Sequence, residues 1–236
     1  MSEEPRYIGK RERFDFSCGP EKSCFNQCCC DINQFLFPYD ILRLARSLSM
    51  TTGEFLEKYT YIYAGDTTGL PVVSFMTSAK NNHACPFLSE KGCSVYKDRP
   101  ASCRMFPVAR ALARSREDGS ITEHFALIED PICEGFNSHN KTTTPARWME
   151  EQGLKEYNRR NDEMIELISL KQQILPGRLE GDEKEAFVLA CYNLDGFRDK
   201  VKAGEIEVEE REAVLENDDA LMDAAMAWIK ATLFNK

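Results

Sequence analysis

Apolar and polar positions in the first part of the chain follow both helical and extended patterns. Apolar side chains recur at helical spacing from Pro38 to Leu48, which predicts an amphipathic helix. Thr51 and Glu54 form a capping-box signature, which predicts a second short helix beginning there. The stretches 70–77 and 121–128 each predict a short strand bounded by turn residues. This part of the chain therefore mixes short helices and strands.

The last third of the chain is helical in pattern throughout. Thr144 and Pro145 resemble an N-cap followed by proline at the first helical position, and Pro176-Gly177 predicts the end of that run. A further helix is predicted to open at Asp182, and a final one carries an apolar stripe from Leu215 to Ile229. Such stripes usually pack into a core, so this region predicts a helical layer.

The cysteines divide the chain at a similar position. Nine of the ten lie between Cys18 and Cys133, and only Cys191 lies beyond them. We therefore predict a cysteine-cluster metal-binding domain over residues 10–140 and a helical region over 144–236 that packs on it. The expected fold class is α+β with helices dominant, in which a small, loop-rich cysteine core with short strands is followed by C-terminal helices.

Composition and charge restrict the classes of function. With 42% hydrophobic and 29% charged residues, the 236-residue chain is not of the disordered class. Residues 1–144 carry 17 basic and 18 acidic side chains, whereas residues 145–236 carry 13 and 21. Most of the net charge of −9 therefore lies in the C-terminal part. We expect neither nucleic acid nor a membrane as a partner, because both are anionic surfaces.

The compartment affects how the cysteines are interpreted. The N-terminal residues Met1–Pro5 show no basic segment followed by an apolar one, and no stretch approaches the ~18 apolar residues of a membrane span. We therefore expect a cytoplasmic protein. Thiols stay reduced there, so clustered cysteines are expected to bind metal rather than form disulfides.

Eight cysteines form two groups with the spacing of metal ligands. They are Cys18, Cys24, Cys28, Cys29, Cys85, Cys93, Cys103 and Cys133. Thiolates favour zinc and iron–sulfur clusters, and eight ligands are enough for two four-ligand centres without requiring two. If the backbone at Cys28 and Cys29 is extended, their side chains point to opposite sides and serve two adjacent centres or two irons of one cluster. Cys30 is then spare or replaces a neighbour.

Other side chains near these cysteines are candidates for supporting roles. Arg99 and Arg104 flank Cys103, and we expect both to bind the cofactor by offsetting the negative charge of a thiolate-ligated centre. His83 and His139 are alternative ligands, and Cys191 is expected to be a packed core thiol.

Three stretches carry a resemblance to a known family. The stretches Cys85–Leu88, Cys93–Tyr96 and Arg99–Pro107 resemble the second half of the YkgJ-type cysteine-cluster family, which is described as a zinc- or iron-chelating domain. The segments Pro38–Leu44 and Gly53–Tyr59, after the upstream cysteine pair, fit the same family. The resemblance covers about half of the chain and implies metal chelation by these cysteines.

The first cysteine group departs from the family pattern. Members of that family usually show Cys-x-x-Cys-x-x-Cys-Cys, whereas here five residues separate Cys18 from Cys24 and three separate Cys24 from Cys28. A third consecutive cysteine follows. The resemblance therefore leaves open which of Cys28, Cys29 and Cys30 are ligands.

Three functions remain open from the sequence. The first is a protein with one or two iron–sulfur clusters that carries electrons, senses redox state or binds a small-molecule substrate. The second is a zinc-stabilised module that binds a protein partner. Flagellin lysine methylases carry a related cysteine cluster, so the third is adenosylmethionine-dependent protein methylation. The absence of paired Cys-x-x-Cys knuckles favours iron–sulfur over zinc as the cofactor.

Overall fold

The computed structural model describes residues 5–115, 120–137 and 141–234. The chain forms two compact units, each made of two segments. We call Met1–Ile32 with Ser78–Asn158 the cysteine unit, and Asn33–Thr77 with Arg159–Lys236 the helical unit. The sequence-based division into consecutive stretches 10–140 and 144–236 stays a prediction. No described helix combines the length and the apolar character needed to cross a membrane.

The cysteine unit contains short strands, short helices and ordered turns. Its strands and helices are β1 (Arg6–Ile8), β2 (Phe14–Asp15), β6 (Leu88–Ser89), β7 (Gly92–Cys93), α3 (Ala101–Met105), β8 (Val108–Arg114), β9 (Ile121–Leu127), β10 (Thr142–Thr143) and α4 (Pro145–Glu151). Strands β1, β9 and β8 form an antiparallel sheet in that order, while β10 pairs with β2 and β6 with β7. The strand predicted at 121–128 is therefore confirmed as β9.

The core of the cysteine unit surrounds one phenylalanine. Phe16 is 1% exposed, and its ring makes edge-on contacts with Phe106, Phe136 and Trp148 at centroid distances of 5.1 to 5.9 Å. Such T-shaped contacts align the positive ring edge with the negative ring face. Cys133 packs against the same cluster, so the apolar core directly supports a predicted ligand.

The helical unit combines a three-stranded sheet with most of the helices. Its elements are β3 (Phe35–Leu36), α1 (Pro38–Ser47), α2 (Thr52–Tyr59), β4 (Thr60–Ala64), β5 (Pro71–Phe75), α5 (Lys155–Ile174, of which the first four residues belong to the cysteine unit), α6 (Gly181–Cys191), α7 (Leu194–Ala203), α8 (Arg211–Glu216) and α9 (Asp218–Phe234). The antiparallel sheet has the order β3-β5-β4. The mixed α+β class, with helices in the C-terminal half, is confirmed.

Capping residues and a glycine determine where several of these helices begin and end. The capping box of α2 is present, since the Glu54 carboxylate accepts from the Thr51 amide over 2.8 Å. Thr144 caps α4 as predicted. The helical run after Thr144 is two helices rather than one, because Gly153 adopts a left-handed φ of 65° that ends α4. The buried residues of α5 are Tyr157, Arg160, Met164, Leu167 and Lys171.

An ion-pair network ties helices of the helical unit together. Arg46 of α1 donates to the carboxylates of Asp195 and Asp218, with N–O distances of 2.8 to 2.9 Å, and Arg198 donates to the same two carboxylates. The Thr52 amide also donates to Asp195 over 2.7 Å. Two guanidinium groups therefore share two carboxylates and link α1, α2, α7 and α9.

Replacing Asp218 by asparagine should weaken the helical unit in a pH-dependent way. Hydrogen bonds from Arg46 and Arg198 hold the pKa of Asp218 at about 2, below its usual value of 3.8. The stabilisation is present above the unfolded pKa and is lost as pH falls through the folded one. Because the side chain is 35% exposed, we expect Asp218→Asn to cost about 1 kcal/mol near neutral pH.

Urea denaturation at neutral pH and at about pH 3 tests this expectation, and the difference between wild type and variant should shrink at the lower pH. Asp199→Asn is the matched control, because Asp199 is an exposed carboxylate on α7. An equal loss for both variants, independent of pH, would contradict the role given to the network.

Candidate metal centre

The first cysteine group lies in a series of tight turns rather than in extended backbone. Amides donate to carbonyls three residues back, as from Gln27 to Cys24 and from Cys29 to Asn26, each over 3.0 Å. Residues Gln27–Cys29 form a 3-10 turn, which begins after Asn26 in the left-handed conformation. The premise of extended backbone at Cys28 and Cys29 is therefore wrong. The neighbouring Cys29 side chain instead lowers the pKa of the Cys28 thiol to about 7.

Backbone hydrogen bonds bring Cys133 to this turn series. The Ser17 amide donates to the Gly135 carbonyl over 3.0 Å, and the Glu134 amide donates to the Cys24 sulfur over 3.3 Å. The Glu134 carboxylate also accepts from the Ser23 hydroxyl over 2.6 Å. Although 109 positions separate Cys24 from Cys133 in the sequence, the fold therefore joins their segments.

Four thiols consequently share one neighbourhood, which we call the first cysteine set: Cys18, Cys24, Cys28 and Cys133. Partial burial of its sulfur raises the pKa of the Cys18 thiol, although the residue as a whole is exposed, and the three other members raise it further. Burial likewise raises the pKa of Cys133, while the Gly135 amide, which donates to its sulfur, lowers it. Like-charged thiolates at close range repel one another, so this neighbourhood favours a cation among them.

Further backbone hydrogen bonds bring Cys85 to the turn series. The Cys85 amide donates to the Cys29 carbonyl over 2.8 Å, and the Asp31 amide donates to Asn82 over 2.9 Å. Strands β6 and β7 form a tight hairpin that places Cys93 opposite Leu88. The segment around Cys85 is therefore held against Cys29, and the hairpin returns Cys93 towards Cys85.

These contacts define the second cysteine set: Cys29, Cys85, Cys93 and Cys103. The electrostatic neighbours of the Cys29 thiol include Cys85 and Cys103, and Cys93 is a neighbour of Cys85. Burial raises the pKa of Cys85 to about 11, while the amides of Phe87 and Leu88, which donate to its sulfur, act in the opposite direction.

Backbone amides donate hydrogen bonds to sulfurs in both sets. The sulfurs of Cys24, Cys85, Cys93 and Cys133 each accept at least one backbone N–H. Such donors stabilise a thiolate and are a common outer shell of thiolate-bound metals. Among the described residues no group of three or more possible ligands converges to metal-holding geometry. The donor chemistry therefore fits zinc or an iron–sulfur centre, and the thiols lie near one another without forming a complete coordination shell.

The two arginines beside Cys103 occupy different surroundings. Burial lowers the pKa of Arg99, and the nearby thiols of Cys103 and Cys93 act in the opposite direction. This placement suits charge compensation. Arg104 instead donates to the backbone carbonyls of Lys97, Arg99 and Gln152. Its guanidinium therefore holds the segment that carries Cys103 against the end of α4, and cofactor contact by either arginine stays a prediction.

The remaining candidates lie apart from both sets or outside the described residues. The Cys30 thiol donates to the Asn26 carbonyl over 3.8 Å, within its own turn. Cys191 is 2% exposed in α6, in agreement with a core thiol. The His83 carbonyl accepts from the Ile32 amide, which is a backbone role, and His139 lies outside the described residues.

Sequence reasoning did not find the importance of Gly135, because its neighbour Phe16 is distant in the chain.

Replacing Gly135 by alanine should destabilise the cysteine unit. A Cβ atom there would lie 2.3 Å from Cε2 of Phe16, whose ring is enclosed by other aromatic rings. Overpacking of this kind costs about 1–3 kcal/mol. Chemical denaturation measures the loss. Gly9→Ala is the control, because a Cβ at Gly9 meets only ordinary contacts at 3.5 Å, and equal stabilities of the two variants would contradict the steric argument.

One protein family matches the part of the chain that carries the two cysteine sets. A family model described as "CxxCxxCC: Putative zinc- or iron-chelating domain" matches residues 17–134, a stretch that contains both cysteine sets and covers half of the chain. No curated protein and no solved structure matches the chain. The chain belongs to the CxxCxxCC family of zinc- or iron-chelating domains.

Proposed function

We propose that this metal-binding protein holds two cysteine-ligated centres and that both are iron–sulfur clusters. The observation that carries the proposal is the division of eight thiols into two sets of four, which meet at the neighbouring thiols of Cys28 and Cys29. Four thiolates are the ligand number of a [4Fe–4S] or [2Fe–2S] cluster and also of a structural zinc ion.

The different further neighbours of Cys28 and Cys29 support two centres rather than one. Cys28 has Cys18 and Cys133 as neighbours, whereas Cys29 has Cys85 and Cys103. One centre with four ligands would leave half of these thiols without a metal. Burial makes the thiolate form of such groups costly, and a bound cation removes that cost.

Two features support iron–sulfur over zinc. The chain has no Cys-x-x-Cys knuckle, which zinc modules commonly use. Cys18, Cys28 and Cys103 are exposed, so centres held by these residues would lie near solvent, where electron exchange with a partner is possible. When bound, an iron–sulfur cluster supplies one-electron transfer. The protein's own residues contribute the thiolates, the amide donors to sulfur and, in the second set, the nearby positive charge of Arg99.

The proposal also extends to the compartment and the partner of the protein. We place the protein in the cytoplasm, where thiols stay reduced, and none of its ten cysteines, all of which lie in the described residues, forms a disulfide. Its partner is expected to be a protein or a small molecule. The methylase alternative stays a prediction from resemblance.

Metal and sulfide analysis of anaerobically purified full-length protein tests the cofactor. We expect a brown protein with broad absorbance near ~400 nm, and acid-labile sulfide in about equal amount to iron. Exposure to air should bleach this absorbance. Colourless protein that contains zinc and no sulfide under the same conditions would instead establish the zinc-stabilised module.

Serine substitutions test the division into two sets. We expect Cys24→Ser to remove about half of the iron and Cys85→Ser to remove the other half, because each breaks one set of four ligands. The Cys24→Ser/Cys85→Ser double variant should lose nearly all iron. The Cys18→Ser/Cys24→Ser double variant should lose no more than Cys24→Ser alone, since both residues belong to the first set.

Cys30→Ser and Cys191→Ser are the controls, because neither thiol belongs to a set, and both should keep the wild-type iron content. Complete loss of iron from Cys24→Ser or from Cys85→Ser, in protein that circular dichroism shows to be folded, would indicate one shared centre. Loss of iron from Cys30→Ser would show that Cys30 is a ligand and that the assignment of Cys28, Cys29 and Cys30 to the two sets is wrong.

A further inference from the structure

Strand β4 is an exposed edge of the sheet in the helical unit. It pairs with β5 on one side only among the described residues. Its sequence, Thr60 to Ala64, has no charge, proline or glycine and is rich in aromatic and β-branched residues. Natural proteins usually protect an edge strand with such breaking residues or with a covering element. An edge without them is suited to pairing with another strand.

The hydrogen bonds at both ends of β4 show which backbone groups face the edge. The Met76 amide donates to Tyr59 over 2.7 Å. The Gly65 amide donates to Leu70 over 2.9 Å. In an antiparallel pair, hydrogen-bonded positions alternate, so the odd-numbered residues of β4 bond to β5. The even-numbered residues therefore direct their N–H and C=O groups away from β5.

Part of this edge is already used within the chain. The Thr60 amide donates to the Leu56 carbonyl at the end of α2. For Ile62 and Ala64, no backbone partner on the edge side occurs within the described part of the chain. The groups that remain available are the amides and carbonyls of Ile62 and Ala64 and the carbonyl of Thr60.

Helix α6 forms a wall beside this edge. A groove of about 490 Å³ lies between Ile62 and the α6 residues Lys184, Glu185, Val188 and Leu189. A neighbouring groove of about 290 Å³ at Ala64 shares Lys184 with it and carries Arg178 and Glu180. Each groove contains both basic and acidic side chains. This surface therefore favours neither a purely acidic nor a purely basic partner. Such a balanced surface is complementary to a copy of itself.

The strand sequence is also symmetric about Ile62. Tyr61 and Tyr63 flank it on the opposite face of the sheet and are 53% and 42% exposed. When two such strands pair antiparallel with Ile62 on the two-fold axis, Tyr61 of one chain lies opposite Tyr63 of the other. These are non-hydrogen-bonded positions, where cross-strand side chains come closest, and aromatic pairs there stabilise a sheet.

We propose that a second copy of this chain pairs with β4 and continues the sheet across a two-fold axis at Ile62. The two Ile62 residues then exchange a pair of backbone hydrogen bonds, and each Ala64 amide donates to the carbonyl of the partner's Thr60. Because the two-fold axis is perpendicular to the sheet, both copies of α6 lie on the same face. The apolar groove residues Val188 and Leu189 of the two copies then approach each other, with Lys184 and Glu185 around them.

Ile62→Pro tests the hydrogen bonds on the two-fold axis. Proline removes the outward N–H and leaves the β5 side of the strand intact, as edge strands tolerate. Analytical ultracentrifugation of metal-loaded, full-length protein should show a dimer for wild type, and a dissociation constant raised about tenfold or more for Ile62→Pro. Ile62→Val is the conservative control and should dimerise as wild type does. Iron content should not change, because no cysteine is involved.

A charge exchange on α6 gives an independent test that does not alter the strand. Lys184→Glu makes the groove acidic and Glu185→Lys makes it basic, so each variant alone should dissociate by like-charge repulsion. Mixing the two variants should restore a heterodimer, and the double variant Lys184→Glu/Glu185→Lys should form a homodimer again.

Two results would overturn the proposal. One is a wild-type chain that sediments as a monomer at every concentration, which would leave the edge to a different protein strand. The other is a dimer that Ile62→Pro and both charge variants leave unchanged, which would place the interface elsewhere. Metal content, measured on the same samples, keeps this test separate from the test of the iron–sulfur centres.

Discussion

Backbone hydrogen bonds from the N-terminal turn series to two distant segments determine the arrangement of the cysteine unit. The bond from Ser17 to Gly135 brings in Cys133, and the bond from Cys85 to Cys29 brings in the second group. The turns between Cys18 and Cys29 carry only four of the eight thiols in the two sets. The metal-binding chemistry therefore depends on how these three segments meet, and the Phe16 cluster holds one of the two junctions in place.

Thiolates that lie this close together repel one another unless a cation is bound among them. Burial and neighbouring thiols raise the pKa of Cys18, Cys85 and Cys133, so the metal-free form favours neutral thiols. Metal binding requires thiolates and releases their protons, and the amide donors to sulfur reduce the cost of that step. Folding of the cysteine unit and metal loading are thus coupled by the same electrostatics.

The helical unit is stabilised by different means. Its helices are joined by the network in which Arg46 and Arg198 share two carboxylates, and by a buried lysine, Lys171, whose ammonium donates to the carbonyls of Thr68 and Gly177. Both devices satisfy polar groups inside the unit. In contrast, within the described residues the edge of β4 leaves backbone groups of Ile62 and Ala64 without a partner, and this difference is the physical basis for expecting one there.

The sequence by itself determined the elements with local causes. The capping box of α2, the proline at the start of α4 and the strands β5 and β9 follow from neighbouring residues. The clustered cysteines indicated the class of metal chemistry. Only the tertiary structure decided that Cys28 and Cys29 have different further cysteine neighbours, that Arg104 binds carbonyls, and that Gly135 must lack a side chain beside Phe16. These features depend on contacts between residues far apart in the chain, and local propensity carries no information about where such residues meet.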